Sequence, residues 1–473
     1  METGDGAFTD KVVEVFGDLA TDKRRLPASR LQSHGLPAFV GEWVLDSLVP
    51  GMGPISPSEA ERALSWTTRN VPQPGDAQAI RFRLQQGETV RLLTPVQVEV
   101  ILRRNRQDRV AKLALIGIED AYISPHLVEQ YPDLLQQGMW GICEVVNSEE
   151  GPALVSFKPM QSTVDLALYK QARANFTLEE WRHLMISSMG YAPEAYTEPQ
   201  QILLLARLLP LVEKSMHILE LAPKGTGKSY VYENISPRVR VVSGGNVSPA
   251  VLFVNNATGQ WGILARFKVV VLDEVQRAKF EKAEEVIGAL KGFLANGLLT
   301  RGGLNEAPSD CGLVMLANIE LDEQHRPLVE PLVANLPPFL RETAFLDRLR
   351  GLIPGWELPK LGSSCFAHGV GLKSDFFGDV LLSLRDDLMP DQLCERRIRL
   401  AGEGGIRNER AIRSIASGYV KLLFPDGRFS AEEFVRFCVK PAVKLRQLIW
   451  DQLYALDAEF RKYDRELRYE LTS

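Results

Sequence analysis

Three apolar segments, HILELA, KVVVLDE and GLVMLAN, each end in or lead directly into polar residues suited to chemistry. Lys228 just after the first, Asp273 in the second and Asn318 at the end of the third fall 45 residues apart. The first interval leaves room for one helix, one strand and another helix. Apolar strands separated by helices bury both faces, and this pattern predicts an α/β fold around a parallel, two-sided sheet. Ligands of such sheets bind outside the carboxyl ends of the strands. The three polar ends are therefore expected at one edge, with the asparagine strand between the other two.

The stretch KGTGKS, Lys224 to Ser229, directly follows the first buried strand and is expected to open a helix from Lys228. Glycines at 225 and 227 let backbone N–H groups turn inward around phosphate oxygens. A helix N-terminus would add partial positive charge. Pro223, Lys224, Gly225, Thr226, Gly227, Lys228 and Ser229 form the expected ATP-binding loop. Lys228 would reach the β- and γ-phosphates, and Ser229 would hold Mg²⁺. The usual motif begins with glycine where this chain has Ala222, but a small residue suffices there. The plainer reading is a glycine-rich turn whose lysine is merely solvated.

Asp273 would hold the magnesium through water, and Glu274 would polarise the attacking water. An isolated acidic strand end is also a common solvated turn. Asn318 could orient the same water, although asparagine at a strand end is ordinary turn chemistry. The common interval raises the functional reading above these alternatives.

At 473 residues the chain has length for about three domains, and its composition is ordinary for a globular protein. No apolar run approaches the ~20 residues of a membrane span. The acidic, mixed N-terminus does not resemble a secretory signal. Cys143, Cys311, Cys365, Cys394 and Cys438 are widely spaced with no C-x-x-C pair. That argues against a zinc site or disulfide framework, and a cytoplasmic location without membrane association is expected. The net charge of -5 means that nucleic acid could be bound only through local basic patches.

Residues 1–75 read as short helices broken by proline and glycine, and residues 76–165 as alternating apolar and polar strands. About five short strands with one helix near the fourth suit a small OB-like β-barrel. Residues 166–200 are expected as a helical linker, 201–355 as the α/β core and 356–430 as a helical region. The tail, 431–473, is expected as an amphipathic helix.

The order KGTGKS, VVVLDE, VMLAN resembles an AAA+ ATPase over roughly residues 200 to 425. AFLDRLRGLIPGW resembles the segment in which an arginine faces a neighbouring subunit's γ-phosphate. Arg348 matches best there, with Arg350 and Arg341 as alternatives. EGGIRNERAIRSIASGYVKLL resembles the sensor-2 region of Lon-type ATPases, which points to Arg407 and, second, to Arg410. Both roles need a fixed guanidinium against developing phosphate charge. For each arginine the alternative is a surface or interface salt bridge.

APKGTGKS, SGGNVSPAVLFVNN, VVVLDEVQ and FLDRLRGLIPGWELPK together resemble the Lon-related BrxL family of BREX phage-defence systems. The resemblance implies a P-loop core with a helical lid, preceded by a DNA-binding helical and barrel region. It further implies a ring ATPase on double-stranded DNA with an MCM-like assembly, a hexamer or heptamer, single or stacked, working with other BREX components. Residues 430–473 offer no G-x-S-x-[GA] serine followed by a catalytic lysine, so no protease activity is expected of them. A Lon-type protein unfoldase or adaptor is the alternative function, and a non-catalytic scaffold the weakest.

The densest basic stretch, ILRRNRQDRVAK from Ile101 to Lys112, has a hairpin-like centre at Asn105. Arg103, Arg104, Arg106 and Arg109 would crowd its tip, in position for phosphate contact without base reading. A solvated turn is the alternative. NGLLTRGGL could form a second hairpin with Arg301 at its tip, and Asp22 to Arg25 is a third basic run. Trp140 and Trp261 read as core residues rather than stacking platforms.

Overall fold

The computed structural model describes residues 2–103, 106–160, 164–244, 246–255, 259–301, 305–402 and 405–472. The chain divides into two compact units. The smaller comprises Thr21–Thr163 with Lys373–Asp375, and the larger comprises Met1–Ala20, Val164–Leu372 and Phe376–Ser473.

The smaller unit is built on five strands: β1 (Val90–Arg103), β2 (Arg106–Leu113), β3 (Ile118–Ile123), β4 (Met139–Ser148) and β5 (Gly151–Pro159). They close into a barrel in the order β1-β2-β3-β5-β4. All neighbours are antiparallel except β3 and β5. Alternation in MWGICEVV turns Met139, Gly141, Cys143 and Val145 inward. A side chain at Gly141 would collide with the Phe157 ring at 2.5 Å, so the barrel wall needs glycine there. Helix Pro125–Gln130, capped by Ser124, joins β3 to β4.

The β1–β2 hairpin outruns this core. Val98 and its partner Ala111 are buried, whereas Val100 and Leu102, on the same face, are 46% and 75% exposed. The last pair is Arg103 with Arg106. Arg104 and Asn105 lie outside the described residues. Helices Ala38–Leu48 and Pro57–Asn70 build a second cluster on which Trp140 packs half-buried. The basic run at 22 to 25 is neither a DNA patch nor plain surface. Lys23 is buried on Glu42 at 2.7 Å, Arg25 bonds the Val49 carbonyl, and Arg24 chelates Asp22.

The larger unit contains β6 (Ile218–Ala222), β7 (Val239–Ser243), β8 (Val269–Asp273), the hairpin β9 (Leu298–Arg301) and β10 (Asn305–Pro308), β11 (Gly312–Asn318) and β12 (Gly351–Pro354). Five of these form a parallel sheet ordered β12-β6-β11-β8-β7. Every residue of β6 is buried, as expected of a strand covered on both faces. Arg301 pairs with Asn305 at the end of the β9–β10 hairpin, whose turn lies outside the described residues.

Three segments differ from the sequence expectation. Residues 166–200 form a wall of the core instead of a linker. Helix Leu178–Ser188 starts from a Thr177/Glu180 capping box and buries Trp181, Met185 and Ile186 completely. The N-terminal helix Glu2–Phe16 belongs to this unit, because Phe16 packs on Tyr169, Phe176 and Trp181. The expected single C-terminal helix is broken. Helix Ala431–Phe434 passes through a π turn, Val435–Val439, into helix Lys440–Leu456, where Pro441 lacks an N–H to donate. The chain then folds back, and β14 (Arg468–Leu471) pairs antiparallel with β13 (Ile398–Ala401).

Candidate ATP site

Because β11 lies between β6 and β8, the carboxyl ends of these strands set Pro223–Ser229, Asp273 and Asn318 side by side. Asn318 is in register with Ala222. Lys228 Nζ donates to Asn318 Oδ1 at 2.7 Å, and Ser229 Oγ donates to Asp273 Oδ2 at 2.6 Å. Burial pushes the Lys228 ammonium below its usual range, opposed by Asp273 and Glu220. A cation held in a half-dry cleft with a single neutral acceptor is prepared to exchange that acceptor for a phosphate.

The loop leaves β6 with Gly225 at φ +85° and Gly227 at +72°, both in the left-handed region. Three of its carbonyls are tied outward. Arg207 donates to Thr226 O at 3.2 Å, Tyr191 Oη to Gly227 O at 2.9 Å, and Leu361 N–H to Gly225 O at 2.8 Å. With these carbonyls occupied, the N–H groups of the same loop are the ones left to receive an anion, as in an anion cradle. The following helix is only Tyr230–Asn234, since Pro237 stops it. The cradle therefore rests on the loop itself and not on the helix expected from Lys228.

Ala222 fits the first motif position because the missing side chain is across the sheet. A Cβ on Gly355 would lie 2.5 Å from the Ala222 methyl. Below the loop runs a fully buried ion pair, Arg207 with Glu220 at 2.7 Å, both 0% exposed. Burial by itself would lower the arginine's proton affinity, but Glu220 reverses this and holds it above the ordinary range. Arg207 thus fixes Thr226 from beneath while β6 supplies its counter-charge.

Glu274 takes a left-handed backbone, φ +49°, which costs a non-glycine residue about 1–2 kcal/mol. Its N–H donates to Asp273 Oδ1 at 2.8 Å, and its half-exposed side chain is held loosely by Arg277 at 3.5 Å. Strain of this kind collects where a side chain must be aimed. Gln276 accepts from the Asn318 N–H at 3.3 Å and ties the two strand ends together. Among the described residues no group of three or more His, Cys, Asp or Glu could cage a metal. The hydroxyl of Ser229 against the Asp273 carboxylate suits magnesium, which takes few protein ligands and completes its shell with phosphates and water.

Arg348 and Arg407 lie together elsewhere. They line a cavity of about 650 Å³ with Asp347 between them, and no residue of the phosphate loop lines it. Arg407 pairs with Asp347, and Arg348 bonds the Ala344 carbonyl of its own turn. Arg350 is half-buried and Arg410 exposed, and neither lines this cavity. Arg109 pairs with Val100 in the β1–β2 hairpin, and Trp261 is half-buried against the core.

Sequence reasoning missed Tyr191, Arg207 and Glu220. The signal existed: Arg207 is a lone charge in LLLARLLPLV, and Glu220 a lone carboxylate in ILELA. Isolated opposite charges in apolar segments are buried only when paired.

A parallel sheet carrying a glycine-rich loop, a lysine–asparagine contact and a serine–aspartate contact at one edge is the arrangement an ATPase domain needs. Residues 153–466 match the family described as Lon-like protease BrxL-like, ATPase domain, and residues 14–146 match the BREX system Lon protease-like protein BrxL N-terminal. The chain belongs to the BrxL family. It is 30% identical over 410 residues to the Lon-like protease BrxL of Escherichia coli O9:H4 (strain HS), covering 84% of this chain and 58% of that protein. It is 28% identical over 412 residues to the Lon-like protease BrxL of Bacillus cereus (strain H3081.97), covering 84% and 60%. The chain thus spans about three fifths of these relatives. Among solved structures, a full-length MCM homolog from Methanopyrus kandleri aligns at TM-score 0.40 and 12% identity, covering 96% of this chain and 99% of that one.

Proposed function

We propose that the chain is an AAA+ ring subunit that hydrolyses ATP with Mg²⁺, binds double-stranded DNA and acts with other BREX components in phage defence in the cytoplasm. The pair of contacts Lys228–Asn318 and Ser229–Asp273 carries the ATPase part of this reading. They join the phosphate-binding, metal-binding and water-orienting positions on three neighbouring strands. Lys228 holds the β- and γ-phosphates, Ser229 and Asp273 hold the ion, and Asn318 and Glu274 position and polarise water. Bound magnesium supplies charge neutralisation at the phosphates.

Arg348 and Arg407 act on the nucleotide of a neighbouring subunit. Their shared cavity, which no residue of their own phosphate loop lines, supports this assignment and with it a homo-oligomeric ring. The closed barrel is read as OB-like: its strand order, its parallel β3–β5 pair and the helix before β4 support that. The hairpin that projects from it, with Arg103, Arg104, Arg106 and Arg109, is the DNA contact. The β9–β10 hairpin, with Arg301, is a second one. No protease activity is assigned to these residues.

Glu274→Gln tests the chemistry. Nucleotide affinity should hold while turnover falls at least about 100-fold, the contribution of a positioned general base. Hydrolysis at the wild-type rate would refute the assignment. Fluorescence anisotropy with a labelled duplex between 50 and 200 mM salt tests the partner. A protein contacting about six phosphates should lose roughly 10³-fold in affinity across that range. Salt-independent binding, or retention of unfolded polypeptide in place of duplex, would favour the unfoldase instead.

A further inference from the structure

The cavity that holds Arg348 and Arg407 has a buried support. Arg446, on helix Lys440–Leu456, is completely buried. Its Nη2 donates to Asp347 Oδ1 at 2.8 Å, and both Nη atoms donate to the Asp347 carbonyl at 3.3 Å. Nη1 also donates to the Leu349 carbonyl, and Nε to Asn408 Oδ1. The carbonyls on either side of Arg348 are thus both captured by one guanidinium. The other carboxylate oxygen of Asp347 accepts from Arg407, whose chain neighbour Asn408 is also bonded to Arg446.

Filling this space with an apolar side chain would cost less than burying a cation, since desolvation often exceeds the gain of a buried pair. Burial pushes the Arg446 guanidinium down to about 10, against the opposing pull of Asp347, which still leaves it charged at neutral pH. What a planar fork provides and a leucine cannot is fixed direction at several acceptors at once. Here those acceptors belong to two separate segments, the turn carrying Arg348 and the start of helix Ile406–Leu423 carrying Arg407.

We propose that Arg446, acting through Asp347 and Asn408, is a positioning residue that mounts Arg348 and Arg407 as one rigid pair facing the neighbouring subunit's nucleotide. The proposal rests on the reading that these arginines act in trans. Arg446 itself touches no nucleotide. It sets the angle between two guanidinium groups that must meet one phosphate together, and misplacement by about 1 Å from such a remote change can cost about 100-fold in rate.

The test uses the full chain with Asp347→Asn, which keeps shape and removes the shared charge, and Arg446→Lys, which keeps charge and removes the fork. Each should lower kcat about 100-fold while the Kd for a fluorescent ATP analogue stays within about threefold. Each is then mixed with Glu274→Gln subunits, whose arginines are intact but whose own site is blocked. Mixing should restore hydrolysis, because an intact phosphate loop now meets an intact arginine pair. Arg348→Ala mixed with Glu274→Gln is the reference. If that mixture stays inactive, the trans reading fails. If it recovers but the Asp347→Asn and Arg446→Lys mixtures do not, the mount alone fails. Full activity of both variants unmixed would overturn it, as would a nucleotide affinity that falls in step with kcat. Loss of the folded state in both variants would show a core element and not a mount, and overturns it too.

Discussion

Gly225 and Gly227 share a left-handed backbone, yet their surroundings differ. A Cβ on Gly227 would meet Leu361 Cδ1 and Tyr191 Oη at 2.7 Å, whereas nothing lies within 4 Å of one on Gly225. Gly225→Ala should therefore cost about 1–2 kcal/mol of backbone strain and no more. Gly227→Ala adds the clash and breaks the Tyr191 hydrogen bond, so it should melt lower and bind nucleotide more weakly. Thermal melts and nucleotide titrations of the two variants check this, and equal behaviour would contradict it. Both glycines, with Lys228 and Ser229, were legible in the sequence because the motif is local. Arg207 was not, because its meaning depends on Glu220 13 residues away and on the carbonyl of Thr226 above it.

Among the elements, β6 couples that pair to the phosphate loop. Arg207→Met leaves Glu220 buried without a partner and should destabilise by about 3–5 kcal/mol. Adding Glu220→Leu should recover most of the loss. Urea unfolding of the single and double variants measures the difference, and a double variant as unstable as the single would refute the pairing argument. The β1–β2 hairpin is the second element under test. Reversing Arg103, Arg104 and Arg106 to Glu should weaken duplex binding and reduce the salt slope by roughly one for each phosphate these side chains neutralise. Unchanged affinity and slope would remove the hairpin from the DNA interface. Alternation within β1 and β2 was plain in the sequence. That the strands run past the barrel core was not, since Val98 and Val100 look alike until one is buried and the other is not.

At the scale of the whole molecule, stability should fall in acid through His217. The ring is completely buried, and its Nδ1 accepts from the Leu313 N–H at 3.2 Å. Burial, with Arg350 and Arg385 adding, pushes its value down to about 3. The unfolded chain takes up this proton near pH 6.5, whereas the fold resists it until about pH 3. The contribution is therefore fully present above pH 6.5 and lost as pH falls toward 3. Urea midpoints measured across this window should decline in the parent protein and decline less in His217→Gln. Identical slopes would place the acid sensitivity elsewhere.

Periodicity and spacing sufficed for the two-sided sheet, the glycine-rich turn after β6 and the strand ends at Asp273 and Asn318, because buried strands and tight glycine turns are dictated by neighbours in the chain. The five-stranded character of the barrel was legible for the same reason. Other features followed only from packing between distant residues. Helix Glu2–Phe16 joined the larger unit through an aromatic cluster. The C-terminal chain turned back to pair β14 with β13. Arg348 and Arg407 came to one cavity on a buried arginine about 100 residues from the first and nearly 40 from the second. Local sequence determines which backbone conformations and faces are available. Which buried charges share a partner is decided by packing, where each must find a counter-charge or hydrogen bond in a space closed to water.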